Sequence, residues 1–130
     1  MKKILLDTNA YSALLKGDAK VLAAVGEADI VFVSVIVLGE LYAGFCGGVK
    51  ESENKKLLND FLSKSTVRIM AVSKETAEIF GVIKQQLKVA GTPIPINDIW
   101  IAAHAMENGA RLISYDQHFM QIPGVLLWSF

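Results

Sequence analysis

Apolar residues occur along the chain in two alternating arrangements, short continuous runs and longer stretches with helical spacing. A short apolar run bounded by polar or turn residues is typical of a strand that is buried on both faces of a parallel sheet. Runs of this kind predict strands at "KKILL", "DIVFVS", "VRIMAV", "ARLISY" and, near the C-terminus, "GVLLW".

The stretches between these runs carry apolar residues at the three- and four-residue spacing of amphipathic helices. Ser73 is placed to cap a helix that ends near Gly91, and Gly109 ends the next one. The predicted helices cover residues 9–15, 19–25, 35–45, 50–64, 74–90 and 97–108, with a turn at 116–119. This alternation predicts an α/β fold in which a central, mostly parallel sheet lies between two helical layers.

Composition indicates one apolar domain over residues 1–130. Of the 130 residues, 52% are hydrophobic, and 13 basic and 13 acidic residues cancel, so no global positive field favours nucleic acid. The apolar run between Asp29 and Glu40 is too short for a membrane span, and Asp7 interrupts the N-terminal run too early for a signal peptide. With Cys46 as the single cysteine, a cytoplasmic protein without an internal disulfide is predicted.

Asp7 stands where the first predicted strand leaves the interior and the first predicted helix begins. An unpaired buried carboxylate is costly or shifts its pKa, so Asp7 is expected to have a partner. It can be the N-cap of the helix, because Asp is a preferred capping residue. It can equally belong to a ligand site, because ligands of parallel sheets bind beyond the carboxyl ends of the strands.

Two other aspartates raise the same choice. Asp116 follows the strand "RLIS" as Asp7 follows "ILL", so both carboxylates are expected at one edge of the sheet. Asp98 opens an apolar helix after the loop "TPIPI", where it can act as a cap. Asn97 is already placed to cap that helix, which leaves Asp98 available for another role.

Glu40 lies in an otherwise apolar predicted helix. Its neighbours on the same helical face are the small residues Ala43, Gly44 and Gly47. Such a face is typical either of a helix surface turned to solvent or of a surface left open for a ligand to approach the carboxylate. The helix pattern leaves both interpretations open.

A single site lined by all of these acids explains their positions together. Two carboxylates at about 4 Å repel by about 4 kcal/mol at an effective dielectric of about 20, so a cluster must bind protons, cationic side chains or a metal ion. Hard divalent ions take oxygen ligands, and Mg²⁺ binds one or two carboxylates together with waters and substrate phosphate oxygens. The cluster therefore points to phosphodiester chemistry.

The segments that carry the acids are "DTN" at Asp7, "GELYAG" at Glu40, "INDIWIAAHA" at Asp98 and "LISYDQHF" at Asp116. In this order they resemble the PIN-domain ribonucleases over essentially the whole chain. The length and the final "VLLW" are similar to those of the VapC toxins of type II toxin–antitoxin pairs. The resemblance implies a PIN-like three-layer α/β/α fold and an endoribonuclease that uses Mg²⁺ or Mn²⁺ to activate the attacking water, without a side-chain nucleophile.

By the same resemblance the catalytic, metal-binding acids are Asp7, Glu40, Asp98 and Asp116, with Thr8, Asn9 and Ser114 as polar support. Position 114 is more often Thr in the family, and Ser keeps the hydroxyl. The implied partners are an RNA substrate, a second copy of the chain and a VapB-like antitoxin whose Arg or Lys reaches the acids. Residues 40–45 and 57–62 are expected to contact this inhibitory partner, and no membrane is involved.

Other functions fit part of the pattern. A phosphotransferase of the haloacid dehalogenase type also has an Asp after its first strand, but it needs a second Asp where this chain has Asn9. A non-catalytic RNA-binding or scaffold module on the same fold, or a PIN nuclease without an antitoxin, remains open. His104 lies off the helical face of Asp98 and is expected to pack, whereas His118 is expected to be a turn residue within possible reach of substrate.

Overall fold

Strands and helices alternate through the computed structural model, which describes residues 1–130. The strands are β1 (Lys3–Leu6), β2 (Ile30–Ser34), β3 (Val67–Met70) and β4 (Arg111–Ile113). The helices are α1 (Thr8–Leu15), α2 (Ala19–Glu27), α3 (Val35–Phe45), α4 (Glu51–Leu62), α5 (Lys74–Ala90) and α6 (Ile96–Asn108), and a 3₁₀ helix covers Gln117–Gln121.

The strands form one parallel sheet in the order β3-β2-β1-β4. Because crossovers between parallel strands are right-handed, this order requires the helices that connect β1, β2 and β3 to lie on one face and α5 and α6 on the other. The predicted fold, a parallel sheet between helical layers, is confirmed. The strands β2 and β3 are added on one side of β1, and β4 is added on its other side. The carboxyl ends of β1 and β4 therefore flank the crevice where such folds bind ligands.

Capping residues determine several element boundaries as the sequence predicts. Ser73 forms a capping box with Thr76 at the start of α5. Gly91 and Gly109 end α5 and α6 with φ values of 69° and 61°, a left-handed conformation that costs glycine little. These signals are local, which is why the sequence alone predicts them well.

The predictions for two short segments were wrong. The segment "GVLLW" is not a strand: it contacts β4 through one isolated bridge, Leu112 to Leu127, with both flanking backbone hydrogen bonds made to Leu112. Asn97 does not cap α6. The helix begins one residue earlier, at Ile96, because Pro95 takes the N-cap position with an extended ψ of 141°, and no side chain caps that end.

The core is a continuous apolar cluster on both faces of the sheet, in which Ile4, Leu5 and Leu6 of β1 are completely buried. This explains the run of apolar residues in front of Asp7, because a central strand of a parallel sheet is covered on both faces.

None of the helices has the length and apolar content that crossing a bilayer requires.

His104 packs in the core, as predicted, and links two elements of the fold. Its Nδ1 lies 2.8 Å from Ser34 Oγ and its Nε2 lies 3.2 Å from the carbonyl oxygen of Ala71. Because a carbonyl can only accept, Nε2–H donates to Ala71 and Nδ1 accepts from the Ser34 hydroxyl. The Ser34 oxygen also accepts from the Ile36 N–H, so His104 joins the N-terminus of α3 to α6.

This buried imidazole is expected to make stability depend on pH. Burial lowers the pKa of His104, against opposing effects of its bond to Ala71 and the charge of Glu107. Below the ordinary pKa of about 6.5 the unfolded chain takes up a proton that the folded chain resists, so stability falls by up to about 1.4 kcal/mol per pH unit as the pH drops toward the lowered pKa. Urea unfolding at about pH 7.5 and about pH 5.5 measures this loss. If His104→Gln lost as much stability between these two pH values as the wild type does, the prediction would be contradicted.

Candidate functional site

A cleft of about 510 Å³ opens at the carboxyl edge of the sheet, beside β1 and β4. Its wall contains the acids that the sequence singled out and no Lys or Arg. The lining residues are Asp7, Thr8, Asn9, Glu40, Pro95, Ile96, Asn97, Asp98, Ile101, Asp116 and His118. The fold therefore brings together four carboxylates that are far apart in the sequence.

Asp7 is both a helix cap and a member of this cleft. Its Oδ1 accepts a hydrogen bond from the Ala10 N–H at 2.8 Å, which caps α1. Its Oδ2 accepts from the Ser114 hydroxyl, while the side chain as a whole is only 5% exposed. The two interpretations of Asp7 therefore do not exclude one another, because each uses a different oxygen.

Ser114 connects the two aspartates that follow strands. It lies one residue beyond β4, donates its hydroxyl to Asp7 and accepts the backbone N–H of Asp116 at 2.9 Å. The hydroxyl thus acts as donor and acceptor at once, which Thr at this position would also allow. This contact orients the Asp7 carboxylate and the start of the Asp116 turn together.

Glu40 reaches the cleft from α3 and is held by α1. The Thr8 hydroxyl donates to Glu40 Oε1 at 2.7 Å. Ala43 and Gly44 on the same face are exposed, so the small residues leave the carboxylate accessible from solvent. Asn9 also lines the cleft, but its side chain is exposed and makes no hydrogen bond.

Asp98 and Asp116 meet at His118. The Nδ1 atom of His118 lies 3.3 Å from Asp98 Oδ2 and 3.0 Å from Asp116 Oδ1. Asp98 lies in the first turn of α6 and does not cap it, and Asp116 caps the 3₁₀ helix by accepting the His118 N–H. The sequence analysis expected a turn residue at 118 and did not assign it to the site. The Asp-x-His spacing three residues beyond the end of β4 is the signal that could have identified it.

The electrostatics of the cleft reflect burial and mutual repulsion of the acids. Burial raises the pKa of Asp7, and the charges of Asp98 and Asp116 raise it further, against the hydrogen bonds from Ser114 and Ala10. Burial also raises the pKa of Asp98, as do the charges of Asp116 and Glu40, against the hydrogen bond from His118. The arrangement thus disfavours full ionisation of the cluster when no cation is bound.

The residues fit a divalent cation by the chemistry of their donor atoms. Carboxylate oxygens are the preferred ligands of hard divalent ions. Donor atoms of Asp98, Asp116 and His118 lie within 4.8 Å of one another. Since no Lys or Arg lines the cleft, a bound cation would compensate the burial and the mutual repulsion that raise the pKa of Asp7 and of Asp98.

Comparisons with known proteins agree with this arrangement. The family model described as PIN domain matches residues 4–125. A ribonuclease VapC2 of Haemophilus influenzae is 36% identical over 116 residues, which cover 88% of this chain and 86% of the relative. The chain therefore belongs to the PIN domain family, as predicted. Within that family it is related to the VapC ribonucleases.

Solved structures support the same relationship. VapBC2 from Rickettsia felis, bound to a DNA fragment from its promoter, matches with a TM-score of 0.85 and 28% identity, covering 98% of each chain. VapBC-1 from nontypeable Haemophilus influenzae matches with a TM-score of 0.86 and 26% identity, covering 98% of this chain and 97% of the other. The fold of the whole chain is thus that of these relatives.

Proposed function

We propose that this protein is a divalent-metal-dependent endoribonuclease and the toxin of a VapBC-type pair. The observation that carries the proposal is the cleft in which Asp7, Glu40, Asp98 and Asp116 converge without a Lys or Arg. Relationship to the VapC ribonucleases supports RNA as the substrate. A phosphotransferase of the haloacid dehalogenase type is disfavoured, because Asn9 stands where it needs a second aspartate.

In this function the four carboxylates would hold Mg²⁺ or Mn²⁺. The ion, when bound, supplies the Lewis acidity that activates water for in-line attack and that neutralises charge on the phosphodiester. Ser114 and Thr8 keep the carboxylates of Asp7 and Glu40 in place through their hydrogen bonds. Asn9 offers its free amide to the RNA or to the ion at the mouth of the cleft.

An antitoxin is the second proposed partner. The relatives of known structure include VapBC complexes and a toxin–antitoxin complex from Klebsiella pneumoniae. Within the predicted contact range 57–62, Leu57 is exposed and offers apolar surface to a partner, whereas Leu58 and Phe61 are buried in the core. A basic side chain from that partner would compensate the acids in place of the metal ion. A cytoplasmic location agrees with this function.

The protein is expected to be a homodimer. Valines on the outer face of α5, Val82 and Val89, are 57% and 77% exposed, and exposed apolar surface on a protein without net charge favours association. Light scattering at micromolar concentration should give twice the mass of one chain. A monodisperse monomer under these conditions would rule out the dimer.

Cleavage of total RNA tests the nuclease proposal and separates it from a non-catalytic module. Purified protein should fragment RNA in the presence of low millimolar Mg²⁺ or Mn²⁺, and EDTA should stop the reaction, because the carboxylates alone supply no nucleophile or Lewis acid. A preparation of Asp98→Asn, treated in the same way, controls for contaminating ribonucleases. Binding of RNA without any metal-dependent cleavage would favour the module instead.

A further inference from the structure

His118 is the only imidazole in the wall of the cleft, and its ring is held between two of the acids. Its backbone N–H donates to Asp116 Oδ1 at 2.9 Å, and the adjacent Phe119 is completely buried. These two anchors hold the backbone at His118, and the contacts of Nδ1 with Asp98 and Asp116 place the ring, although about half of the side chain is exposed to solvent. The ring nitrogen is therefore presented at the open side of the carboxylate cluster.

The spacing of the donor atoms resembles that of ligands around one ion. An octahedral ion with bonds of about 2.1 Å holds neighbouring ligand atoms about 3.0 Å apart, the bond length multiplied by the square root of two. Nδ1 of His118 lies 3.0 Å from an oxygen of Asp116 and 3.3 Å from an oxygen of Asp98. The ligand atoms of Asp98, Asp116 and His118 all lie within 4.8 Å of one another. They would contact one ion with little side-chain movement once the Nδ1 proton that His118 shares with Asp98 leaves to solvent and the neutral ring keeps its proton on Nε2.

We propose that His118 is a nitrogen ligand of the metal ion in this cleft, beside Asp98 and Asp116, and that it makes the site prefer Mn²⁺ and Co²⁺ to Mg²⁺. The inference rests on the proposed function, because it assumes that the carboxylates hold an ion. Mg²⁺ is suited to oxygen donors, whereas imidazole is a good ligand for first-row transition ions, whose affinities rise from Mn²⁺ to Co²⁺. A nitrogen donor therefore favours these ions selectively.

A different role for His118 would leave a different signature. If the imidazole only orients Asp98 and Asp116 by hydrogen bonding, its loss weakens every ion to a similar extent, typically by about 10- to 100-fold. If it is a ligand, its loss weakens Mn²⁺ and Co²⁺ much more than Mg²⁺. The ratio of affinities separates the two roles, and absolute affinity does not.

The test is calorimetric titration of the metal-free protein with MnCl₂, CoCl₂ and MgCl₂ in separate experiments. His118→Ala should lower the affinity for Mn²⁺ and Co²⁺ by at least about tenfold and for Mg²⁺ by less than about threefold. His118→Asn places an amide oxygen at the same number of bonds from Cβ as Nδ1, so it should retain Mg²⁺ binding without the transition-ion preference. Met120→Ala, on the same 3₁₀ helix but 68% exposed, is the matched control and should bind all three ions normally.

Electron spin echo spectroscopy of bound Mn²⁺ gives an independent readout. The wild type should show modulation from a directly coordinated ¹⁴N nucleus, and His118→Ala should not. His104, the other histidine, is completely buried and hydrogen-bonded on both nitrogens, so it cannot supply the signal. Absence of nitrogen modulation in the wild type, or equal losses for Mn²⁺ and Mg²⁺ in His118→Ala, would overturn the assignment of His118.

Failure of this inference is distinguishable from failure of the proposed function. If Asp98→Asn abolishes ion binding while His118→Ala leaves the ratio of Mn²⁺ to Mg²⁺ affinity unchanged, the carboxylate site stands and only the role of His118 is wrong. If the wild type binds none of the ions, or if Asp98→Asn binds them as well as the wild type does, the carboxylate site itself is wrong.

Discussion

Asp7→Asn is expected to reduce RNA cleavage by at least about 100-fold without unfolding the protein. Asn caps helices about as well as Asp, and its Oδ1 can still accept the Ala10 N–H, so α1 should remain intact. The substitution removes the negative charge toward the cleft and replaces the Oδ2 that accepts from Ser114 by an amide NH₂, which donates to the Ser114 oxygen instead. Steady-state cleavage assays in low millimolar Mg²⁺ or Mn²⁺, with circular dichroism on the same samples, measure both effects.

The same variant should be at least as stable as the wild type in EDTA. Burial and the charges of Asp98 and Asp116 raise the pKa of Asp7, so the folded state binds this proton more tightly than the unfolded state does. Protonated Asp7 therefore stabilises the fold fully below its ordinary pKa of about 3.9, and this stabilisation is lost as the pH rises through the raised pKa. At neutral pH the ionised Asp7 destabilises the metal-free fold, and Asn removes that effect.

Asp18→Asn is the matched control for Asp7→Asn. Asp18 caps α2 through the N–H groups of Lys20 and Val21, and it lies outside the cleft. This variant should retain cleavage and should not gain stability in EDTA. Full activity of Asp7→Asn would mean that Asp7 is a cap alone and would contradict the metal site.

Binding of Mg²⁺ or Mn²⁺ is expected to raise the melting temperature of the wild type by several degrees and that of Asp98→Asn by much less. An ion at about 100 times its dissociation constant stabilises the folded state by about 2.7 kcal/mol, and each kcal/mol moves the transition by a few degrees for a domain of this size. Asp98 meets Asp116 at His118, so its loss removes a donor from the centre of the cluster. Thermal scans with EDTA or with added ion give the shift directly.

Glu75→Gln controls for the helix position of Asp98. Both acids lie in the first turn of a helix, where a negative charge is worth about 0.3–1 kcal/mol, but Glu75 is exposed on α5 and does not line the cleft. Glu75→Gln should lose only that small contribution and keep the full metal-induced shift. Equal shifts in Asp98→Asn and the wild type would show that Asp98 does not hold the ion.

Much of this fold could be predicted because its signals are local. The apolar run of β1, the capping box at Ser73 and the left-handed glycines at 91 and 109 each specify a boundary through contacts within a few residues. The segment around Leu127 was assigned wrongly as a strand because its composition is apolar. Whether such a segment pairs along its length depends on the tertiary path of the chain, which local composition does not encode.

The candidate site was predictable in part for a related reason. Acids that follow parallel strands within a few residues converge at one edge of the sheet, which brings Asp7 and Asp116 together. The inward direction of Glu40 depends on its bond to Thr8, and the inclusion of His118 depends on the path of the 3₁₀ helix. Neither could be read from spacing alone, because both are contacts between distant parts of the chain.

Labelling with H₂¹⁸O tests the central claim most directly, namely that carboxylate-held metal activates water to hydrolyse RNA. RNA cleaved by the wild-type protein in Mg²⁺ or Mn²⁺ should carry one solvent oxygen in each newly formed terminal phosphate, detected by mass spectrometry of the fragments, and no fragments should form in EDTA. Fragments that end in 2′,3′-cyclic phosphate without solvent oxygen, or cleavage that persists in EDTA, would contradict the account, because the RNA 2′-hydroxyl and not water would then be the nucleophile.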